Sequence, residues 1–133
     1  MSVDITVQEL LDSKGTQVFS TTPDAKVIDA LRILSEAKIG ALLVLEDGKL
    51  VGIFSERDYA RKIILEGKQS KDTQIREVMT TEVQCVSAEK TVKQCMALMT
   101  KNHFRHLPVL RDGEVVGMIS IGDIVRAILM SAL

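Results

Sequence analysis

Two seven-residue segments of the chain carry glycine, serine and aspartate at the same three places. They are GIFSERD, from Gly52 to Asp58, and GMISIGD, from Gly117 to Asp123. A helix N-terminus offers unpaired N–H groups that suit phosphate, and a carboxylate at that end can accept the hydroxyls of a ribose. The serine hydroxyl can bind sugar or phosphate, and the strand glycine leaves room for a flat ring. The pattern therefore favours a site that binds a nucleoside phosphate without chemistry.

The same residues have a purely structural interpretation. A serine N-cap followed three residues later by an acid is close to a capping box, so Ser55 with Asp58 and Ser120 with Asp123 are expected to start helices. Capping does not explain the glycine, which marks a bulge or the close approach of a backbone or ligand. It also does not explain why the whole pattern occurs twice.

The two segments belong to a longer internal repeat. Ile39–Asp58 aligns without gaps over Phe104–Asp123, and nine of the 20 positions are identical. Upstream, Thr22–Lys38 aligns with Ser87–His103 in the same register. Further upstream, Val7–Leu11 resembles Ile75–Met79 after a three-residue slip in the loop.

Each copy predicts the same series of elements around the motif. A short extended piece leads to a hydroxyl N-cap, Thr22 or Ser87, and then to a helix with an apolar stripe. Two strands joined through Asp-Gly follow, which is the strongest short-range signal for a hairpin. A second helix begins at the motif. The stripe residues are Val27, Leu31 and Leu34 in one copy and Val92, Met96 and Met99 in the other.

These elements predict a mixed α/β (α+β) fold in two repeats, residues 1–67 and 75–133, joined by a linker at 68–74. One copy alone has too little apolar surface to close a core. We therefore expect the copies to pack face to face as one globular module with pseudo-twofold symmetry, and an exposed apolar helix face to make a homodimer.

Composition limits the class of protein. The chain has 133 residues, a formal net charge of −1 and 46% apolar residues, with three Phe, one Tyr and no Trp. A nucleic-acid binder is expected to be basic, and a single-strand binder to be rich in aromatic residues. This chain is neither, so we expect no nucleic-acid partner. No signal peptide or membrane-spanning run is present in the sequence, which favours a soluble, cytoplasmic protein without a membrane partner.

Neither a metal centre nor an enzyme is predicted. The spacing of the cysteines and histidines fits no usual zinc site, and Cys95 lies near an apolar stripe, where it is expected to act as a small hydrophobe. A triad could be assembled on paper from Ser55, Asp58 and a histidine, but the chain lacks a nucleophile elbow, a P-loop and a G-x-G-x-x-G segment. The cysteines and histidines are Cys85, Cys95, His103 and His106.

The repeats resemble the CBS domain, and the tandem arrangement resembles the paired CBS module called a Bateman module. The resemblance covers about Val7 to Leu133 and depends on the two motifs, the hairpins VLEDGKLVG and VLRDGEVVG, and FRHLPV before the second hairpin. It implies a β-α-β-β-α unit in each copy and two clefts that bind AMP, ADP, ATP, NAD or S-adenosylmethionine. The resemblance implies that the protein requires no cofactor.

In the family each cleft takes its motif from one copy and other contacts from the second copy. Carried over to this sequence, this implies two composite sets. The first set is Ile53, Ser55, Arg57, Asp58, Val83, Cys85, Val86, Arg105 and His106. The second set is Met118, Ser120, Asp123, Val18, Ser20, Thr21, Gly40 and Ala41.

The two sets differ in charge. Arg105 and His106 would give the first cleft partners for phosphate, whereas Gly40 and Ala41 occupy the matching places in the second, where only Lys38 or Arg126 could reach. We therefore predict unequal sites, with the first preferring nucleotide.

Two functions stay open. One is a regulatory module in which an adenosine nucleotide, with AMP leading, shifts a conformation or dimer arrangement and signals to a separate effector protein. The other is an interaction scaffold with vestigial clefts. Retention of Ser55, Asp58 and Arg105 favours the first.

Overall fold

The computed structural model describes residues 5–131, so the predicted repeat ends at 1–4 and 132–133 lie outside the described residues. It is a mixed α+β fold with two three-stranded sheets, ordered β1-β2-β3 and β4-β5-β6. In chain order the elements are α1 (Val7–Lys14), β1 (Ser20–Thr21), α2 (Val27–Ala37), β2 (Ala41–Glu46), β3 (Lys49–Ser55), α3 (Glu56–Asp58), a π-helix (Tyr59–Ile64), a 3-10 helix (Ile75–Glu77), β4 (Val86–Ser87), α4 (Val92–Asn102), β5 (His106–Arg111), β6 (Glu114–Ser120) and α5 (Ile121–Ser131).

The residues form two compact units that cross the predicted repeat boundaries. Residues 18–83 form the first unit, and residues 84–131 form the second together with the N-terminal segment 5–17. The segment at 68–74 is part of the first unit, where Ile28 donates its N–H to the Ser70 carbonyl at 3.1 Å. The repeat boundaries found by alignment therefore differ from the unit boundaries, because each unit includes the N-terminal part of the other predicted repeat.

Both hairpins form as predicted. Strand β2 pairs antiparallel with β3, and β5 pairs antiparallel with β6. The turn residues Asp47 and Gly48 have φ values of 52° and 78°, and Asp112 and Gly113 have 53° and 81°. Two successive positive φ values define the turn that matches the twist of paired strands, which is why Asp-Gly is favoured there.

Each unit has its own apolar core under its sheet. In the first unit Val27 and Leu34 of α2 pack with Phe54 of β3. In the second unit Val92 and Met99 of α4 pack with Ile119 of β6, and Leu11 of α1 belongs to the same cluster. The predicted helix stripes therefore face the cores, and Leu31 and Met96 pack at their edges.

The predicted N-caps Thr22 and Ser87 are wrong. Helix α2 begins after Lys26, which makes no side-chain cap bond, and α4 begins after Thr91, whose hydroxyl accepts from the Gln94 N–H. Thr22 and Ser87 instead accept turn hydrogen bonds through their carbonyls. Chain segments from elsewhere in each unit satisfy the first helical N–H groups: Val27 donates to Thr73 at 2.9 Å and Val92 donates to Ile5 at 2.7 Å.

The helix that follows the motif differs between the units. In the second unit α5 is a regular α-helix. In the first unit the three residues of α3 continue into the π-helix Tyr59–Ile64, where Leu65 donates its N–H to the Ala60 carbonyl. The π-helix is a rare conformation that occurs frequently at functional sites.

Candidate functional site

The first corner is defined here as Gly52–Asp58, where β3 ends and α3 begins. The Ser55 hydroxyl accepts the Asp58 N–H at 3.2 Å, and Asp58 Oδ2 accepts the Ser55 N–H at 3.0 Å, so the predicted capping box is present. Asp58 Oδ1 accepts the Thr80 hydroxyl at 3.0 Å and lies 3.1 Å from Lys62 Nζ. The Lys62 ammonium also donates to the Val78 carbonyl at 3.0 Å. Asp58 is thus a buried carboxylate with its charge balanced.

The second corner, Gly117–Asp123, has the same cap but a different set of cations. Asp123 Oδ2 accepts the Ser120 N–H at 2.8 Å, and the Ser120 hydroxyl accepts the Asp123 N–H at 3.2 Å. Lys14 of α1 places its Nζ 2.6 Å from the same Oδ2, and Arg126 donates to Oδ1 at 2.7 Å. The Lys14 ammonium also donates to the Met118 carbonyl at 2.9 Å.

The lysines and Thr80 are site residues that sequence reasoning missed. Lys62 is four residues after Asp58 on the same helical segment, and this spacing could have found it, because such pairs face each other. Lys14 reaches Asp123 across 109 residues of sequence. Only the tertiary placement of α1 in the second unit brings it there, so no local pattern signals it.

The strand glycines are explained by protein packing, which corrects their assignment to a flat ligand ring. A Cβ at Gly52 would lie 2.9 Å from the Thr80 carbonyl oxygen and from Met79 Sδ. A Cβ at Gly117 would lie 2.8 Å from a methyl group of Leu11. Each sheet also has a register shift beside the glycine. The glycines therefore permit a bulge and the close passage of a neighbouring segment.

The acid–base properties of the second corner follow from its burial and its cations. Burial raises the pKa of Asp123, but the hydrogen bonds from Lys14 and the Ser120 N–H outweigh it, so the pKa lies below its usual value. Burial is the main cause that lowers the pKa of His106, opposed by Asp123 and assisted by Lys14 and Arg105. His106 is therefore electrostatically part of the second corner.

The two predicted ligand sets each draw residues from both units, and as complete sets they stay predictions. Within the first unit, the Gly40 carbonyl accepts the Glu56 N–H at 3.0 Å and Ala41 pairs with Ser55. The remaining predicted members of that unit are Ile53, Arg57, Val83, Val18, Ser20 and Thr21.

Within the second unit, the Arg105 carbonyl accepts the Ile121 N–H at 2.9 Å and His106 pairs with Ser120. Arg105 and His106 thus border the second corner in their own unit, although the resemblance assigns them to the first cleft. Cys85 and Val86 of the first set also lie in this unit. The predicted preference of the first site for nucleotide depends on these cross-unit contacts and stays a prediction.

The cysteines and histidines have other structural roles in the described residues. Cys95 is fully buried in the second core, and burial raises the pKa of its thiol to about 11. Cys85 is half-buried, with its pKa raised by burial. His103 ends α4 in the left-handed conformation. Across residues 5–131 no cluster of three or more His, Cys, Asp or Glu could hold a metal ion.

Comparison with known proteins shows the family. The family model described as "CBS domain" matches residues 4–65 and 75–130. The chain therefore belongs to the CBS-domain family and carries a tandem pair of CBS domains.

Similar proteins support the same assignment. The mitochondrial CBS domain-containing protein CBSX3 of Arabidopsis thaliana is 40% identical over 132 residues, which cover 92% of this chain and 64% of that protein. The solved structure of a protein with CBS domains from Burkholderia ambifaria is 41% identical, with a TM-score of 0.94 and coverage of 96% of each chain.

Two more distant structures contain adenosine compounds. CBSX2 in complex with AMP is 27% identical, has a TM-score of 0.79 and is matched over 97% of this chain and 99% of its own. The CBS domain pair of MJ0100, in complex with 5′-methylthioadenosine and S-adenosylmethionine, is 26% identical, with a TM-score of 0.84 over 95% and 97% of the chains.

In the part of this chain that is described, no helix has the length and apolarity to span a membrane.

Proposed function

We propose that this chain is a regulatory module that binds an adenosine-containing ligand, with AMP the leading candidate, at the first and second corners. The observation that carries the proposal is the pair of buried carboxylates, Asp58 and Asp123, each held at the start of a helix by the serine three residues before it. A fixed carboxylate beside helical N–H groups suits a ribose next to a phosphate. The relatives that contain AMP, S-adenosylmethionine and 5′-methylthioadenosine support this class of ligand.

The ligand is bound without being transformed. CBS-domain proteins are generally regulatory, and the two motif serines are both engaged in helix caps. Ser55 Oγ accepts the Asp58 N–H and donates to its carboxylate at 3.2 Å, so the hydroxyl is engaged in the cap both as acceptor and as donor. The output is a conformational change passed to an effector protein.

We also propose a homodimer formed through the helices that follow the two motifs. Two adjacent apolar side chains near the end of each helix are exposed at matching positions of the repeat. Ile64 and Leu65 are 57% and 79% exposed, and Leu129 and Met130 are 61% and 69% exposed. Contiguous exposed apolar residues mark interaction surfaces.

A thermal-shift panel tests ligand binding. AMP, ADP, ATP, NAD and S-adenosylmethionine are each added to the wild-type protein and to the Asp58→Asn/Asp123→Asn double variant. A ligand present at about 100 times its Kd adds about 2.7 kcal/mol to stability. We expect at least one adenosine compound to stabilise the wild type and to have a weaker effect on the variant. No response to any compound would contradict ligand binding and favour a scaffold.

A further inference from the structure

The Lys14 ammonium occupies two acceptors at the second corner. It donates to the Met118 carbonyl at 2.9 Å and to Asp123 Oδ2 at 2.6 Å. The residues that hold this ammonium are those that the proposed function assigns to the ligand. A ribose hydroxyl that binds Asp123 Oδ2 therefore competes with Lys14, because the Ser120 N–H already takes a second position on that oxygen.

A groove beside this ion pair has space for a second position of the Lys14 ammonium. It lies between α1 and α5, has a volume of about 540 Å³, and Ser13, Lys14 and Arg126 are among the residues that line it. The Lys14 side chain is 34% exposed, and its flexible four-carbon stem allows the ammonium to turn. Glu9 also lines the groove, and its Oε1 accepts the N–H and the hydroxyl of Thr6 at 3.2 Å in the capping box of α1.

Asp123 keeps a counter-charge when Lys14 turns away. Arg126 pairs with the other carboxylate oxygen at 2.7 Å and extends from the following turn of α5. A ligand without phosphate must break the Lys14–Asp123 pair and brings no anion of its own to replace Asp123 as the partner of the ammonium. A phosphorylated ligand supplies that partner, and a charge-assisted hydrogen bond forms in exchange for the one that was lost.

We propose that Lys14 makes the second corner selective for phosphorylated adenosine ligands over adenosine itself. The inference rests on the proposed function and names the ligand class of one of its two sites. Lys14 turns from Asp123 to the ligand phosphate, so α1 provides a specificity-determining residue that lies outside the motif.

The experiment compares AMP with adenosine, which share base and ribose and differ in the phosphate. Calorimetry is done in an Asp58→Asn background that weakens the first corner, and amide NMR shifts of Ser120 and Asp123 verify the site. We expect Lys14→Met to weaken the affinity for AMP about ten-fold and to leave the affinity for adenosine unchanged or higher. Lys14→Gln, which keeps a donor without charge, should give the same change, and Lys14→Arg should restore the preference. Lys101→Met removes an exposed lysine of the same unit and is the charge-matched control.

The outcomes distinguish a failure of the inference about Lys14 from a failure of the proposed function. A ratio of AMP to adenosine affinity that falls at least ten-fold in Lys14→Met or Lys14→Gln, but not in Lys101→Met, supports the inference. An unchanged ratio, or equal tightening of both ligands, overturns it and leaves the proposed function standing. If the Asp58→Asn protein and the wild type bind neither compound, the proposed function fails and the inference fails with it.

Discussion

The two corners share a cap and differ in how the carboxylate charge is balanced. Asp58 pairs with Lys62 of the next helical turn and accepts the Thr80 hydroxyl. Asp123 pairs with Arg126 of its own helix and with Lys14 of the N-terminal helix. Repeated motifs therefore specify the helix start and the carboxylate position, whereas the charge around each carboxylate depends on elements outside the motif.

Substitution of the strand glycines by alanine is expected to give the largest difference in stability between the two corners. At Gly52 an added Cβ meets a backbone oxygen of Thr80, which cannot move without breaking its segment's bonds to Ile53. At Gly117 it meets the methyl groups of Leu11, which are the far end of a side chain and can shift more easily than a hydrogen-bonded backbone. Overpacking costs roughly 1–3 kcal/mol, so we expect Gly52→Ala to lower the free energy of unfolding by about 3 kcal/mol and Gly117→Ala by about 1 kcal/mol.

Urea denaturation measures both variants. An exposed turn glycine, Gly67, has no atom within 4 Å of an added Cβ but has a φ of 69°, so Gly67→Ala isolates the cost of backbone strain without crowding. Equal losses for Gly52→Ala and Gly117→Ala would show that the two close approaches are alike in rigidity.

The exposed helix ends allow a second comparison, of the two repeats as dimer surfaces. Leu65→Lys and Leu129→Lys each place a charge in the proposed interface, which we expect to weaken self-association at least about ten-fold because an unpaired buried charge is costly. Sedimentation velocity over a concentration series measures this. A dimer unaffected by either change would place the interface elsewhere.

The lysines at the two carboxylates allow a test by pH. The folded pKa of Asp123 lies below its ordinary value of 3.8, so its contribution to stability is present above that pH and is lost as the pH falls through the folded pKa. Removing Lys14 removes the main cause of the lowering. We expect Lys14→Met to raise the pKa of the Asp123 carboxyl, followed by NMR, and to lose part of the stability that the wild type has above pH 4.

Lys62→Met is the matched change at the other corner and should leave the Asp123 pKa unaltered. If both lysine variants shift it equally, long-range charge rather than the direct contact sets its value.

A smaller effect is expected at His106, which has alanine, Ala41, at the matching place of the first repeat. Its folded pKa is lowered below 6.5 mainly by burial, so the neutral ring is favoured in the fold. The associated stability is present above about pH 6.5 and is lost as the pH falls through the folded pKa. His106→Gln should flatten the stability profile between pH 7 and pH 5 by about 1 kcal/mol or less. An unaltered profile would mean that His106 does not contribute to it.

The sequence predicts much of the fold because its local signals agree. Asp47-Gly48 and Asp112-Gly113 fix the hairpins, and apolar spacing fixes the core faces of α2 and α4. The helix starts at Thr22 and Ser87 were misplaced because distant carbonyls satisfy the first N–H groups of α2 and α4. In α4 the side-chain cap is Thr91 rather than Ser87, and in α2 no side chain caps the helix.

The candidate site was predictable as far as its motif extends. Ser55 with Asp58 and Ser120 with Asp123 form the capping boxes that their spacing predicts. Lys14 could not be found, because the repeat alignment assigns α1 to the first copy whereas α1 packs in the second unit. The electrostatic difference between the corners is thus a tertiary property.

An amide NMR titration of the wild-type chain with AMP tests most directly whether both corners bind the ligand. Ser55 and Asp58 report on the first corner, and Ser120 and Asp123 report on the second. We predict saturable shifts at both pairs, with different midpoints because the carboxylates have different cations. Shifts confined to surfaces away from these four amides, or no saturable shift at all, would contradict the account.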